Sequence, residues 1–364
     1  MRHRVSPGVR RARRRASAAA RVEEACADAT STAELVEGLR DPFNAALGLS
    51  GMIVGSTDPV TAVVSTATRV ENLPHAMAVP WMHNEVLEED FNKFAELHRA
   101  AAGATTLHRA SQGQPRLSPR YRLNLRMGLG PEMRATFSRD DACWGVASLV
   151  REAEDPDFDE EDLAWVEQLR PHVAAGLRRT MAVDVGSTED RIPGVVALDA
   201  DGRVQSMTAG AKDLLMDLWM CPVEGLEYDM PGEAYMVATI ARAQGLGQAP
   251  SRAARTRLRG RSGAWITVRG DPTFTGDGKL AGVVLVIERS RPAEILPILI
   301  ASYGLTARER EVLSEMTSGR ATGEIAARLF ISEHTVRDHV KSILAKSATN
   351  SRGELMSLLL HHRA

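Results

Sequence analysis

Leu305-Thr-Ala-Arg-Glu-Arg-Glu-Val-Leu313 and Ile331-Ser-Glu-His-Thr-Val-Arg-Asp-His-Val340 decide how the C-terminal part of this chain folds. Thr306 and Glu309 stand at capping-box spacing, so each side chain can satisfy an orphan backbone N–H of a helix's first turn. Leu313 and Met316 then face inward, and Gly319 suits a C-terminal stop. Thr322 is expected to cap a second helix carrying Ile325, Ala326 and Leu329. Phe330-Ile331-Ser332 is a short break before a third helix. A short helix, a tight turn and a second helix make the geometry in which the latter enters a DNA major groove.

The third helix reads face by face. Val336, Val340, Ile343 and Leu344 form one apolar stripe at helical spacing. His334, Thr335, Asp338, Ser342 and Ala345 fall on the opposite side, flanked by Arg337 and Lys341. From Arg320 to Arg352 there are six Lys/Arg and three Asp/Glu, in a chain whose net charge is −2. Phosphate neutralisation supplies most DNA affinity, and a local basic face serves it. Ser351 and Glu354 repeat the capping-box spacing and open a fourth helix to about His361.

Leu305–Leu313, Glu324-Ile-Ala326, Ile331–Val340 and Lys346 resemble the LuxR-type DNA-binding domain at the expected spacing, over about residues 303–362. Ser347-Ala348 stands where that family usually has Leu-Gly, and Ala321-Thr322-Gly323 where Ser-Asn-Lys is commoner. The resemblance implies base-edge contacts from Arg337, Asp338 and Lys341. It implies phosphate contacts from Thr322, Thr335 and Lys346. The last helix resembles the family's dimerisation helix, with Leu355, Met356 and Leu359 as the expected surface. Double-stranded DNA and a second copy of the chain, as a homodimer, are the implied partners, and RNA polymerase is a further one.

The whole chain has 364 residues, 44% hydrophobic and 25% charged. That composition is globular, and the length accommodates two or three domains. No run approaches the ~18–20 apolar residues of a membrane helix, so no membrane association is expected. Cys26, Cys143 and Cys221 are odd in number and far apart, which fits a reducing cytoplasm rather than a disulfide framework. Lysine stands at five positions against forty arginines. Seven of those arginines lie in residues 1–20 with no apolar run after them, so this segment reads as a disordered basic tail and not a secretory signal. The alternative is a basic arm that touches nucleic acid.

Two mixed units are expected between tail and DNA-binding domain. Residues 21–182 carry a helix at Arg21–Arg40, apolar β-rich runs at Ala45–Val54 and Thr61–Val70, and a helix at Glu85–Ala100. Strands at Glu132–Phe137 and Cys143–Val150 and a helix from Asp159 to about Arg179 follow. This order resembles a GAF domain. Residues 190–290 place strands around the Asp201-Gly202 turn, helices at Ala209–Trp219 and Gly232–Gln244, and strands at Ala254–Leu258, Trp265–Arg269 and Ala281–Glu288. This order resembles a PAS domain. The expected fold class is therefore α+β multidomain: two α/β sensor units, then an all-α four-helix domain over 300–364.

No cofactor is expected. No histidine lies between His172 and His334, which removes histidine-held haem or metal from the second unit. His75, His83, His98 and His108 lie near Glu85, Glu88, Glu89 and Asp90, but at no metal-ligand spacing, so these acids read as solvated helix charge. Trp81, Phe91, Phe94 and Trp144 read as core. Gly278-Lys279 lacks the frame of a phosphate-binding loop. The chain is thus read as a regulator and not an enzyme. Its sensor units either hold a small-molecule ligand that gates DNA binding, or bind none and serve only dimerisation or protein contacts.

Overall fold

Ser6 accepts a hydrogen bond from the Val9 N–H at 3.4 Å, and Pro7 stands in the first turn, where its missing N–H leaves nothing unsatisfied. A helix thus opens inside the segment whose arginines suggested disorder. The computed structural model describes residues 6–59, 64, 69–73, 78–100, 103–139, 142–182, 192–218, 230–248 and 253–360. Its first part contains α1 (Pro7–Asp28), α2 (Thr32–Leu47), β1 (Gly51–Ser56), β2 (Arg69–Glu71), α3 (Ala78–Val86), α4 (Phe94–Arg99), β3 (Ala104–Thr106), α5 (Leu107–Ala110), α6 (Pro119–Leu125), β4 (Leu129–Arg139), β5 (Ala142–Glu152) and α7 (Glu160–Ala182). Next come β6 (Gly194–Asp199), β7 (Val204–Met207), α8 (Ala209–Leu218), α9 (Gly232–Gly245), β8 (Arg255–Arg259), β9 (Trp265–Phe274) and β10 (Leu280–Arg289). The chain ends with α10 (Pro292–Ser302), α11 (Ala307–Thr317), α12 (Thr322–Leu329), α13 (Glu333–Lys346) and α14 (Arg352–Leu360).

Local chemistry explains several departures from expectation. From Pro7 onward the basic tail is helical because Ala18, Ala19, Val22 and Cys26 bury one stripe of α1. Burial pushes the Cys26 thiol up to about 12. The helix expected at Arg21–Arg40 is two helices, the second opened by Ser31, whose hydroxyl accepts from the Glu34 N–H at 3.2 Å. α2 continues to Leu47, into the run expected as strand, and Gly48 ends it in the left-handed region at φ 64°. Most of Thr61–Val70 lies outside the described residues, as do His75, Trp219 and Cys221. The helix expected at Glu85–Ala100 is broken between Val86 and Phe94. There Glu85 turns away from its own helix to accept the Phe94 N–H at 3.0 Å.

Two five-stranded antiparallel sheets follow the same plan, β2-β1-β5-β4-β3 and β7-β6-β10-β9-β8. Met133, Ala135, Phe137, Ala147 and Leu149 of the first sheet join one core with α1, α2 and α7. Ile295, Ile298 and Leu299 of α10 and Trp265 of β9 share that core. A second core joins Val196, Leu198, Val268 and Leu285 of the second sheet to α8 and α9, and also takes Cys143 and Val146 of β5. The two sheet units are therefore interleaved rather than strung apart.

A buried ion pair fastens them. Arg257 on β8 donates from Nε to Asp58 Oδ2 at 2.8 Å and from Nη2 to Asp58 Oδ1 at 3.0 Å. Its Nη1 reaches the Glu294 carbonyl on α10 at 2.5 Å. The Glu294 carboxylate takes Arg255 at 2.7 Å and the Thr267 hydroxyl at 3.0 Å. Among the described residues no helix is long and apolar enough to cross a membrane.

Gly176 sets how closely α7 meets α1 and α2. A Cβ there would lie 2.6 Å from Leu35 Cδ1 and 3.1 Å from the Cys26 carbonyl oxygen. Gly176→Ala should therefore lower stability by ~1–3 kcal/mol through overpacking, despite alanine's better helix propensity. Chemical unfolding followed by circular dichroism measures this, and an unchanged or raised midpoint would show that the helices can part freely.

Candidate nucleic-acid interface

The C-terminal helices are positioned by their caps and one small core. Thr306 caps α11, accepting the Glu309 N–H at 3.2 Å, while Glu309 accepts the Thr306 N–H at 2.7 Å. Leu305, Val312, Leu313 and Met316 then meet Ile325, Ala326, Val336 and Ile343 in a common core. α12 begins one residue earlier than expected. Ala321 is its N-cap and Thr322 its first helical residue, with only the Glu324 half of the capping box formed, at 2.7 Å to the Ala321 N–H. Phe330 ends α12 in the left-handed region at φ 55°, with its ring 93% exposed. Ser332 caps α13 by accepting the Thr335 N–H at 3.1 Å.

α13 presents one bare side. Val336 and Ile343 are fully buried, and Val340 and Leu344 pack beside them. Arg337, Asp338 and Lys341 are exposed on the other side. Arg337 is held by Glu333 at 2.8 Å, and Asp338 lies 3.6 Å from His334. Lys341 has no acidic partner among the described residues. The first turns of α12 and α13 converge, since a Cβ on Gly323 would lie 3.2 Å from Glu333 Oε1. This brings half-buried Thr322 and Thr335 to one edge of the bare side.

Two expected outward residues point elsewhere. Ser342 Oγ donates to Glu309 Oε1 at 2.6 Å, and Lys346 Nζ to Glu309 Oε2 at 2.6 Å. Glu309 thus cross-links α11 to the C-terminal half of α13. Burial alone would raise its pKa. Hydrogen bonds from Lys346, Ser342 and the Thr306 N–H outweigh that and hold it at about 2, below the ordinary 4.5. The capping spacing revealed Glu309 as a cap, but nothing local to it pointed to α13.

The fourth helix also differs from expectation. Leu355 and Leu359 are fully buried in the domain's own core, so they are not an open dimer surface. Without them α11 and α13 would face water along one side. Ser351 still caps α14, accepting the Glu354 N–H at 3.0 Å, while Glu354 reaches Asn350 rather than Ser351.

A second polar constellation covers one face of the first sheet. Glu132 on β4 accepts Arg120 Nε at 2.9 Å, Arg134 Nε at 2.9 Å and Ser148 Oγ at 2.7 Å. Arg134 continues to Glu85 at 2.7 Å, and Arg120 to Asn84 at 3.0 Å and Asn92 at 2.7 Å. Burial penalises the Glu132 charge, but Arg120 and Arg134 outweigh it and hold the group at about 2. Glu85 is buried here, and the Asp90 side chain is covered beside Arg120 at 3.5 Å, contrary to their expected place on a solvated helix face. The alternation Glu132-Met-Arg-Ala-Thr-Phe137 signals a strand with one polar face, and such a face ordinarily meets water. Among the described residues no cluster of His, Cys, Asp and Glu could hold a metal.

Residues 303–359 match the model of a family described as bacterial regulatory proteins, luxR family. Over 56 residues the chain is 43% identical to the spore germination protein GerE of Bacillus subtilis, covering 15% of this chain and 76% of that protein. Over 44 residues it is 57% identical to the transcriptional regulatory protein YhcZ of the same organism, covering 12% of this chain and 21% of that protein. A solved GAF domain/HD domain protein from Geobacter sulfurreducens overlaps 43% of this chain and 98% of its own, at 15% identity and a TM-score of 0.33.

Two outcomes are expected of the C-terminal domain. The pKa of Glu309 is depressed on folding, so its contribution is complete above about 4.5 and is lost as pH falls toward about 2. Lys346→Ala should narrow that window and cost ~1–3 kcal/mol at neutral pH, as removal of a charged hydrogen-bond partner does. Thermal unfolding of wild type and variant between pH 7 and pH 3 tests both, and equal curves would disprove the cross-link's role. Ala348 follows α13 at φ 52°, with the Thr349 N–H on the Leu344 carbonyl at 3.0 Å. That is a Schellman stop with alanine at the glycine position. Ala348→Gly should raise stability by roughly 1 kcal/mol, and a lower melting temperature would contradict this.

Proposed function

We propose, from the fact that the chain belongs to the luxR family of bacterial regulatory proteins, that it is a DNA-binding transcriptional regulator whose α13 reads the major groove. The bare side of α13, set opposite Val336 and Ile343, carries this reading. Arg337, Asp338 and Lys341 are assigned to base edges, and Thr322 and Thr335 to phosphates at the converging first turns. Lys346 keeps two ammonium hydrogens beyond its bond to Glu309, and a phosphate is their proposed acceptor. The bound form is a homodimer on half-sites about one helical turn apart. Leu355 and Leu359 cannot hold that dimer, because they close the domain's own core.

The upstream units are read as GAF-like and PAS-like modules that gate DNA binding. Their common sheet order supports a common architecture. For the first unit, the reading without a ligand is favoured by a specific observation. The polar face of its sheet is already filled by Arg120, Glu132, Arg134 and Glu85.

Lys341→Ala tests the docking of α13. On a duplex selected from a random pool it should cost ~1–3 kcal/mol and flatten preference at one base pair. Melting temperature should not change, since Lys341 contacts no acid among the described residues. A uniform loss across all sequences, with selectivity intact, would move Lys341 to the phosphates and overturn the proposed docking.

A further inference from the structure

The outer face of α1 is used by none of the interactions above. α1 buries Arg15, Ala18, Ala19, Val22 and Cys26. Arg11 and Arg15, at the margin of that stripe, are neutralised by the start of α7. Arg11 meets Asp159 at 2.7 Å and Asp162 at 3.1 Å, and Arg15 meets Glu161 at 2.9 Å and also Asp162. Arg10, Arg13 and Arg14 lie on the opposite side, at i, i+3 and i+4, all exposed. No acidic residue stands between Ser6 and Val22, and none of the three arginines has an acidic partner among the described residues. Three guanidinium groups within one turn repel each other. A polyanion relieves that repulsion, and duplex DNA offers one phosphate per ~1.7 Å of its axis.

α1 also lies along the helix whose far end meets the start of the DNA-binding helices. α1 and α7 run parallel, with Trp165 Nε1 donating to the Arg15 carbonyl at 3.1 Å and Arg179 to the Ala29 carbonyl at 2.8 Å. At the far end of α7, Arg178 packs against Gly304, where the chain enters the DNA-binding helices. Sixteen positions separate Asp162 from Arg178, a helical span of ~24 Å at ~1.5 Å per residue. That is less than one duplex turn of ~34 Å.

We propose that Arg10, Arg13 and Arg14 form a second, sequence-independent DNA contact, made to phosphates flanking the site that α13 reads. The proposal rests on the DNA-binding reading given above. Its test uses the full chain and a site selected from a random duplex pool. That site is placed in a short duplex of the site alone and in a longer one with an added turn on each flank. Affinities are measured across a salt series for wild type, for Arg10→Gln/Arg13→Gln/Arg14→Gln, and for Arg337→Ala/Lys341→Ala. Glutamine keeps helix propensity, and circular dichroism checks that α1 persists.

On the long duplex the triple variant should lose up to about 2.7 from the log–log salt slope per protomer, about 0.9 for each phosphate released. On the short duplex it should match wild type, while the α13 variant should lose sequence preference on both. Equal slopes for wild type and triple variant on the long duplex would overturn the α1 contact and leave the α13 reading standing. A wild-type chain that selects no site would overturn both. Retention of wild type but not the triple variant on anionic phosphatidylglycerol vesicles, with unchanged DNA binding, would make a lipid surface the occupant and overturn the DNA contact.

Discussion

A carboxylate buried without its cation costs several kcal/mol, so Asp58 and Arg257 must stay together for the upstream region to hold its shape. Asp58 is fully buried and belongs to the loop after β1, whereas Arg257 lies in β8 of the second sheet. The same guanidinium bonds the Glu294 carbonyl at the start of α10. One side chain thus ties the first sheet unit, the second sheet and the helix leading to the DNA-binding domain. α10 then sends Ile295, Ile298 and Leu299 into the first core, while Ile300 packs on the C-terminal core. Any rearrangement of α10 would have to disturb this pair or slide those side chains, because α10 is shared between the upstream core and the C-terminal core.

The first sheet shows how a polar face can be buried at tolerable cost. Its apolar face carries Met133, Ala135 and Phe137 into a core with α1, α2 and α7. The opposite face carries Glu132 and Arg134, and water is excluded there by α3, α6 and the segment joining α3 to α4. Each charged head finds partners, so the network is nearly closed; Asn92 Nδ2 is among the few buried polar atoms left without one. Such networks add little net stability over apolar packing but penalise alternative arrangements. They also explain the broken helix: Glu85 cannot both serve Arg134 and the Phe94 N–H and remain on a regular helix running to Ala100.

In the DNA-binding domain one acid carries a comparable load. Glu309 begins as the reciprocal half of a cap and ends as the cross-link that fixes the C-terminal half of α13 against α11. The N-terminal half of α13 is fixed separately, by the Ser332 cap and Val336. Clamped at both halves, the helix presents Arg337, Asp338 and Lys341 from a rigid support, as the groove reading proposed for them requires.

What the sequence alone determined is what neighbouring residues decide among themselves. The caps at Thr306 and Ser351, the Asp201-Gly202 turn with Gly202 at φ 86°, and the Val336–Ile343 stripe all follow from groups a few residues apart. The strand–helix order of the second upstream unit was legible for the same reason, whereas β3, α5 and α6 of the first were not, and two of its expected helices were broken. The destination of each charge was not. Arg14 is exposed while Arg15 is buried, because Asp162, 147 residues away, meets only one of them. Asp58 finds Arg257 across 199 residues, and Lys346 finds Glu309 across 37. Leu355 and Leu359 could serve a dimer or a core until α10, α11 and α13 assembled around them. Hydrophobic period reveals that a face is buried, but the partner that buries or neutralises it is set by long-range packing.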